Sequence, residues 1–330
     1  MKAAYINETG AAENIIYGEL PMPQAKEHEV LVRMTAAAVN PVDTYIRNGA
    51  NYWELPLPFI IGCDLAGVVE SVGAAVTGFQ PGDRVWCTNQ GLMGRQGTFA
   101  EYCAVDQQWL YHTPEGVADE DVAACALVGV TAHLGLFRDA QLRAGESIFV
   151  HGGSGGVGSM VVQMAKAAGG RVITTAGSAE KCQLCVQLGA DRVVNYRQED
   201  VGNALREFAP AGVNVVWETL REPDFDQLVS YLAERGRLVL MAGREARPPF
   251  PVGPFYVKGC SLHGFVMFKA SANELRACAS DINRWLAEGK LHSRIGARFT
   301  LKDAAAAHRL QEENTLRHAG SLAGKIVLTP

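Results

Sequence analysis

The sequence predicts an α/β protein of two domains, with a β-rich first part and a doubly wound parallel sheet in the second. Three observations support this fold class. The chain has 330 residues, which is enough for two hydrophobic cores. The early part contains short strand-like segments separated by turn sequences, such as the Pro-Gly-Asp in "FQPGDRVW". Further on, wholly apolar strands alternate with helical segments, which is typical of a parallel sheet covered on both faces.

The β-rich part contains strand candidates in "EVLVRMTAAAVN", "GVVESVG" and "GTFAEYCAV". The segment "DEDVAACALVGVTAHLGLFRDA" follows it, with acidic residues at its start and apolar residues at helical spacing. It predicts a helix or a broken pair of helices, at the point where the pattern of the chain changes.

The second part predicts a regular succession of strands and helices. Strands are predicted in "SIFVHG", "RVITTAG", "RVVNY", "VNVVWET" and "RLVLMAG", and "SLHGFVM" is a sixth candidate. Helices are predicted over 155–168, 179–188, 198–208, 224–233 and 272–289. The final strand, in "KIVLT", has no sheet partner nearby in the sequence. We therefore expect it to return to the first domain.

The composition excludes several classes of function. The net charge is −5, so no basic excess suggests binding to nucleic acid or to an anionic membrane. The start, "MKAAYINETG", lacks the apolar core of a signal peptide, and no run of 18 apolar residues predicts a membrane span. The eight cysteines are scattered, so we expect free thiols and a cytoplasmic location.

The strongest local signal is a glycine-rich loop formed by Gly153, Ser154, Gly155, Gly156, Val157 and Gly158. Its Gly-x-Gly-x-x-Gly pattern follows a predicted strand and opens a predicted helix, which is the context that a dinucleotide-binding loop requires. The first glycine allows a tight turn, the second lets a pyrophosphate approach, and the third allows close helix–strand packing. A purely structural turn is the alternative, but the surrounding βα units favour dinucleotide binding.

The residues after the second strand of this sheet indicate which dinucleotide binds. An NAD site usually has an acidic residue there, which holds the ribose 2′-hydroxyl. This chain has Gly177 and Ser178 instead, with Lys181 one helical turn further on. A hydroxyl group and a cation suit a 2′-phosphate, so NADPH is favoured. The alternative interpretation is that Lys181 is a solvated lysine on a helix.

Several motifs give the chain a resemblance to a known family over essentially its whole length. They are "NPVDTYIRNG" at 40–49, the segment 62–73, "GDRV" at 82–85, "GTFAEY" at 97–102 and the glycine loop within 145–166. The chain resembles the zinc-independent quinone oxidoreductase (zeta-crystallin-like) family of the medium-chain dehydrogenase/reductase superfamily. One departure is Phe149, where the family usually has leucine.

The resemblance implies a particular arrangement of domains. A GroES-like β-barrel catalytic domain would be built from 1–122 and 268–330, and a Rossmann NADPH-binding domain from 123–267 would be inserted in it. A cleft between the domains and a homodimer are also implied.

The resemblance further implies roles for individual residues. Asn40 and Thr131 would lie near the nicotinamide, and Tyr45 and Tyr52 would face the substrate. Ser178, Lys181 and Tyr196 would surround the 2′-phosphate. The residues that would border the cofactor are Gly243, Phe265, Val266 and Met267, and Arg317 is a candidate for a last cofactor contact.

No metal is predicted. A catalytic zinc needs three protein ligands, usually cysteine, histidine or a carboxylate. The zinc-dependent relatives have a cysteine where this chain has Asn40, and a His–Glu pair where it has Cys63 and Asp64. We expect Cys63 and Asp64 to be neighbours on one strand, with side chains on opposite faces. Cys63 is then either a packing residue or a thiol lining the substrate site, and Asp64 should have a hydrogen-bond partner.

Without a metal, hydride transfer to an electrophilic acceptor is the chemistry that these residues suit. Asn40, Tyr45 or Tyr52 could donate a hydrogen bond to the oxygen on which charge develops. NADPH:quinone reduction is the first hypothesis, and NADPH-dependent reduction of an enone or an α,β-unsaturated acyl thioester is the second. A third, from another class, is an NADPH-binding structural protein.

Overall fold

The computed structural model describes residues 1–50, 53–317 and 319–330. These residues form two compact units. The first unit consists of Met1–Leu127 and Ala270–Pro330, and the second unit is Val128–Lys269.

The amino-terminal part of the first unit is mostly β-structure, in agreement with the alternating apolar pattern of its sequence. Its longest strand, Glu29–Val39, pairs with two neighbouring strands at once. Its elements in chain order are β1 (Lys2–Ile6), β2 (Ile16–Glu19), β3 (Glu29–Val39), α1 (Pro41–Arg47), β4 (Phe59–Ile60), β5 (Leu65–Val72), β6 (Arg84–Cys87), β7 (Tyr102–Asp106), β8 (Leu110–His112) and α2 (Asp119–His133).

The second unit is an alternation of parallel strands and helices. Apolar residues fill its strands, and the buried core contains Phe149, Ile173 and Val216 from neighbouring strands. Its elements are β9 (Ser147–Val150), α3 (Gly156–Ala167), β10 (Arg171–Ala176), α4 (Ala179–Gln187), β11 (Arg192–Asn195), α5 (Val201–Phe208), β12 (Val213–Glu218), α6 (Phe225–Tyr231), β13 (Leu232–Leu240), α7 (Val252–Val257) and β14 (Ser261–Gly264).

The carboxyl-terminal part of the chain returns to the first unit. It contains α8 (Ala272–Ala287), β15 (Ile295–Thr300), α9 (Ala304–Thr315) and β16 (Lys325–Thr329). Strand β16 pairs with β15 on one side and antiparallel with β3 on the other, so the prediction for "KIVLT" is confirmed. The described strands of this unit form a sheet in the order β15-β16-β3-β5-β6-β8, with β7 also on β3, and a second sheet in the order β2-β1-β4.

The helical segment after β8 is a core helix of the protein. Helix α2 ends in a π-helical turn, Leu134–Asp139, which explains why its sequence also suggested a broken pair of helices. Asp119–Asp139 is long and apolar enough to cross a membrane, with a mean hydropathy of 1.4, but 83% of its most apolar stretch is buried inside the protein. The division between the two units falls within α2, after Leu127. The boundary predicted after residue 122 lies in the same helix.

The order of strands in the second unit fixes where a ligand can bind. The parallel sheet has the order β11-β10-β9-β12-β13-β14. The chain runs outward from β9 to β11 and then crosses back to β12, on the other side of β9. The order therefore reverses between β9 and β12. In sheets of this kind, ligands bind outside the carboxyl ends of the strands at this switch point.

Candidate active site

The glycine loop after β9 is shaped both by packing and by an open space. A Cβ atom added at Gly153 would lie 2.2 Å from Thr174 Oγ1, and one added at Gly158 would lie 2.2 Å from the Gly152 carbonyl oxygen. At Gly155 the nearest protein atom to an added Cβ is 3.3 Å away, and this glycine is exposed. The first and third glycines are thus required by the packing of the loop, while the second leaves room for a ligand to approach the backbone.

Helix α3 begins in this loop with its amide groups available. In the described residues no side chain caps it, and its first turn contains no acidic residue. Helices α4, α5 and α6 instead have Ser178, Asp200 and Asp224 as capping residues. Uncapped amides at the positive end of a helix dipole bind a phosphate group, so the loop and α3 fit the pyrophosphate of a dinucleotide.

The remaining predicted cofactor residues also follow the ends of parallel strands. Gly177 and Ser178 follow β10, Tyr196 follows β11, Gly243 lies beyond the end of β13, and Phe265–Met267 follows β14. Because the carboxyl ends of parallel strands meet at one edge of a sheet, the fold places these residues along the same edge. Thr131 is the exception, since it lies in α2, where it is buried.

The residues predicted to hold a 2′-phosphate are neighbours at this edge. Ser178 Oγ accepts a hydrogen bond from the Lys181 amide at 3.3 Å, so the hydroxyl group stands at the start of α4. A Cβ atom at Gly177 would lie 2.3 Å from the hydroxyl oxygen of Tyr196, whose side chain is 52% exposed. Tyr196 therefore lies directly against Gly177, so two hydroxyl groups lie beside the end of β10, and Lys181 belongs to the first turn of the helix that follows.

Two residues that the sequence analysis did not select lie at the same edge. The His151 Nδ1 atom is 2.9 Å from Glu218 Oε2, and the Leu220 amide donates to Glu218 Oε1 at 2.5 Å. His151 follows β9 directly and Glu218 is the last residue of β12. Each is a polar residue ending an otherwise apolar strand, which is the signal that could have identified them.

In the first unit, Asn40 is the centre of a buried polar network. Its Nδ2 atom donates to Asp64 Oδ2 at 2.8 Å and to the Ala38 carbonyl at 3.3 Å, while its Oδ1 atom accepts from the Lys325 amine. Lys325 also donates to the Val39 carbonyl at 2.9 Å. Both amide hydrogens of Asn40 are therefore already donated within the first unit.

Burial determines the protonation of the acids in this network. Desolvation raises the pKa of Asp43 to about 7, although the Cys63 thiol acts against this shift. Burial also raises the pKa of Asp64, while the Lys325 amine and the hydrogen bond from Asn40 act in the other direction. Conversely, burial lowers the pKa of Lys325, and the two carboxyl groups oppose that change. One amine thus faces two carboxyl groups, and Asp43 holds a proton up to near-neutral pH.

The sequence-based placement of Cys63 and Asp64 on one strand is wrong. Strand β4 ends at Ile60 and β5 begins at Leu65, so both residues lie in the connection. The chain turns at Gly62, which has φ +106° and no room for a side chain, because a Cβ atom would lie 2.3 Å from the Phe99 ring. Asp64 has Asn40 as the partner that was expected. Cys63 is fully buried, and its raised pKa keeps the thiol protonated, so it acts as a packing residue.

The predicted substrate-facing residues are only partly described. Tyr45 lies on α1, five residues after Asn40 and half-buried. Tyr52 falls outside the described residues. Arg317 is exposed beyond the end of α9, and its contact with the cofactor stays a prediction.

The donor groups of the first unit do not fit a zinc ion. Over the described ranges, no group of three or more His, Cys, Asp or Glu could hold a metal. Asn40 stands where the zinc-dependent relatives have their first ligand, and its side chain is hydrogen-bonded to Asp64 and to the Lys325 amine. A cation therefore already lies against this residue.

Comparisons with known proteins agree with this architecture. The alcohol dehydrogenase GroES-like domain matches residues 26–115, and a domain described as zinc-binding dehydrogenase matches residues 156–283. The quinone oxidoreductase of Homo sapiens is 31% identical over 330 residues, which cover 99% of this chain and 97% of that protein. The chloroplastic NADPH-dependent alkenal/one oxidoreductase of Arabidopsis thaliana is 35% identical over 257 residues, covering 76% of this chain and 64% of that protein.

Solved structures give the same result. A structure described as an NAD-dependent alcohol dehydrogenase superposes with a TM-score of 0.90 at 31% identity, and 100% of each chain is covered. The quinone oxidoreductase of Escherichia coli in complex with NADPH superposes with a TM-score of 0.84 at 26% identity, again with 100% of each chain covered.

A GroES-like domain joined to a parallel sheet with a glycine loop at its switch point defines the medium-chain dehydrogenase/reductases. The predicted fold class is thereby confirmed. Within this superfamily, the chain belongs to the quinone oxidoreductase family. It is an enzyme, an oxidoreductase that uses a nicotinamide dinucleotide.

The buried amine of Lys325 should be necessary for the stability of the first unit. We expect Lys325→Met to lower the free energy of unfolding by about 3–5 kcal/mol at pH 8, because Asp64 loses the cation that offsets its burial. The loss should be smaller at pH 5, because Asp43 is protonated there and the raised pKa of Asp64 brings that carboxyl group closer to protonation, so less negative charge needs the cation. Urea denaturation at the two pH values measures it, with the exposed Lys302→Met as control. Equal stability of Lys325→Met and the unmodified protein at pH 8 would contradict this role.

Asp43 and a buried histidine should give opposite pH dependences of stability. The raised pKa of Asp43 makes the folded state bind a proton between about pH 4 and 7, so this contribution falls as pH rises through that window. Burial lowers the pKa of His308, on α9, to about 3, so its contribution is lost as pH falls from 6.5 to 3. Each slope is at most about 1.4 kcal/mol per pH unit.

Asp43→Asn and His308→Gln separate these two contributions. As the pH rises from 4.5 to 6.5, the free energy of unfolding of Asp43→Asn should increase relative to that of the unmodified protein. Over the same range, that of His308→Gln should decrease relative to it. Unfolding free energies from urea titrations across this range provide the measurement. If the free energies of unfolding of the two variants change with pH in the same way, the two groups do not titrate as described.

Proposed function

We propose that this enzyme reduces a quinone with NADPH as the hydride donor. One observation carries the choice of cofactor: the end of β10 has Ser178 and Lys181 at the start of α4, with the Tyr196 hydroxyl packed against Gly177. These groups suit the charge and the acceptor oxygens of a 2′-phosphate. An acidic residue that would select a ribose 2′-hydroxyl does not occupy the end of this strand, which is Thr174-Thr175-Ala176.

Quinone reduction is the reaction that the polar groups of the first unit suit. Bound NADPH supplies a hydride, and with one proton from solvent the quinone becomes a hydroquinone while NADP⁺ is left. The acceptor is electrophilic without a Lewis acid, in keeping with a donor set that does not fit zinc. The likeness to quinone oxidoreductases over nearly the full chain supports the same substrate.

The three predicted hydrogen-bond donors have different parts in this proposal. Asn40 has both amide hydrogens engaged and is fully buried, so its contribution is to fix the polypeptide at the start of α1. Tyr45, one helical turn further along α1, is the donor we assign to the developing charge on the quinone oxygen. Tyr52 stays a candidate from the sequence.

Reduction of an enone is the second candidate function. The likeness to the alkenal/one oxidoreductase of Arabidopsis thaliana favours it, since that protein is 35% identical over 257 residues. An α,β-unsaturated carbonyl compound is also electrophilic without a metal, and charge again develops on a carbonyl oxygen. We further propose that the enzyme is cytoplasmic, in keeping with free thiols at all eight cysteines, and that it is a homodimer, as its resemblance to the family implies.

Lys181 should determine the preference for NADPH over NADH. Lys181→Ala should raise KM for NADPH by about 10- to 100-fold, since a hydrogen bond between charged groups is lost, and leave KM for NADH almost unchanged. Steady-state kinetics with both cofactors test this, with Lys302→Ala as a control at an exposed lysine. A similar rise for both cofactors, or none for NADPH, would overturn the assignment of this phosphate site.

The acceptor is identified by turnover measured with several compounds in parallel. We expect oxidation of NADPH with 1,4-benzoquinone at a kcat/KM at least tenfold above that with a simple enone or crotonyl thioester. Absorbance at 340 nm follows the reaction in each case. A higher kcat/KM for the enone would replace quinone reduction by the second candidate, and no turnover with any acceptor would favour a binding protein.

A further inference from the structure

Two ionisable side chains form a hydrogen-bonded pair at the switch point of the second unit. His151 follows β9 and Glu218 ends β12, and these are the two strands between which the strand order reverses. The glycine loop begins two residues after His151. Gly152 and Gly153 donate their amides to Thr175 Oγ1 and to the Thr175 carbonyl. The loop thus turns toward β10, whereas the imidazole of His151 extends toward β12.

The pair is arranged so that one ring nitrogen is held and the other is available. Glu218 is 1% exposed, and its two oxygens accept from the Leu220 amide and face His151 Nδ1. A carboxylate accepts hydrogen bonds, so Nδ1 carries a proton, and in the neutral imidazole Nε2 then has a free lone pair. The His151 side chain is 26% exposed, so part of the imidazole ring is open at this edge of the sheet.

The ends of β9 and β12 are held together by hydrogen bonds that do not involve the imidazole of His151. The His151 amide donates to the Trp217 carbonyl at 2.9 Å, and Thr219 Oγ1 donates to the His151 carbonyl at 2.7 Å. Two hydrogen bonds involving the backbone of His151 therefore already join the ends of β9 and β12. The side-chain pair instead orients a hydrogen-bond acceptor, in the way that a carboxylate orients a functional histidine.

We propose that His151 is a further cofactor-binding residue, whose Nε2 atom accepts a hydrogen bond from a ribose hydroxyl of the bound dinucleotide. Glu218 is the positioning residue that fixes the tautomer of His151. The ribose hydroxyls, the adenine amino group and the nicotinamide carboxamide can each donate a hydrogen bond to a neutral imidazole. The riboses are the donors attached directly to the pyrophosphate, which accepts only and suits the uncapped amides of α3, and His151 lies beside that loop. The inference rests on dinucleotide binding by the second unit and not on the choice of NADPH or of quinone.

Three substitutions separate the binding role from a structural one. His151→Asn keeps a donor near the position of Nδ1 and removes the acceptor at Nε2, whereas His151→Gln places an amide oxygen near Nε2 and gives up the bond to Glu218. Glu218→Gln keeps both side chains in place, because its carbonyl oxygen can still accept from Leu220. Its amide group would then donate to His151 Nδ1, which moves the ring proton to Nε2 and abolishes the acceptor.

The dissociation constants of NADPH and NADH, measured by fluorescence titration, give the result. We expect about a 3- to 10-fold rise for both cofactors in His151→Asn and Glu218→Gln, the loss of one hydrogen bond, with a smaller rise in His151→Gln. The kcat of each variant should change less than its KM for the cofactor. Because NADH also has ribose hydroxyls, the two cofactors should respond alike, in contrast to their response to Lys181→Ala.

Thermal unfolding without cofactor completes the test. Cofactor affinity should fall in Glu218→Gln while its melting temperature stays near that of the unmodified protein. Unchanged dissociation constants in both His151→Asn and Glu218→Gln would overturn the proposal. The proposal would also be overturned if the dissociation constants of the three variants rose only in proportion to their loss of melting temperature. The role of the pair would then be structural.

Discussion

The amine of Lys325 is the charge on which the interior of the first unit depends. It lies at the start of the last strand and donates to Asn40 and to the carbonyl of Val39, the last residue of β3. Asn40 in turn holds Asp64. Two carboxyl groups can be buried here because an amine is buried with them, and one oxygen of each accepts a hydrogen bond from Asn40. The start of α1, the connection between β4 and β5, and β16 are therefore positioned together by one network.

In the second unit the corresponding constraint is the direction of the strands. Parallel strands place all their carboxyl ends at one edge of the sheet. Residues far apart in sequence therefore lie near one another there, even where they make no contact of their own. Loop residues after β9, Ser178 after β10, Tyr196 after β11 and Glu218 at the end of β12 become neighbours for this reason. Local sequence then decides what each position contributes: amides, hydroxyl groups, a cation or a carboxylate.

Sequence reasoning recovered the features that are encoded locally. Helices α3, α4 and α8 begin and end within two residues of the predicted bounds, because periodicity and capping residues are local signals. It failed where a long-range contact decides. Cys63 and Asp64 looked like strand residues because the sequence does not reveal that Phe99 packs against Gly62, where the backbone has φ +106°. The partners of Asn40 and His151 could not be inferred, since Lys325 and Glu218 are far from them in sequence.

The pairing of β16 with β3 has a consequence for the order in which the chain folds during synthesis. Strand β3 is translated early and can pair with β5 and β7, but its end, Ala37–Val39, has to wait for Ile326–Leu328 before it is paired. The second unit, by contrast, is complete when Lys269 has emerged from the ribosome. It can therefore form its core while the amino-terminal strands still lack their last neighbour and the buried carboxyl groups still lack their cation. Until translation ends, the amino-terminal sheet thus has an unpaired strand end and buried carboxyl groups without their cation, which are features that favour aggregation of a nascent chain.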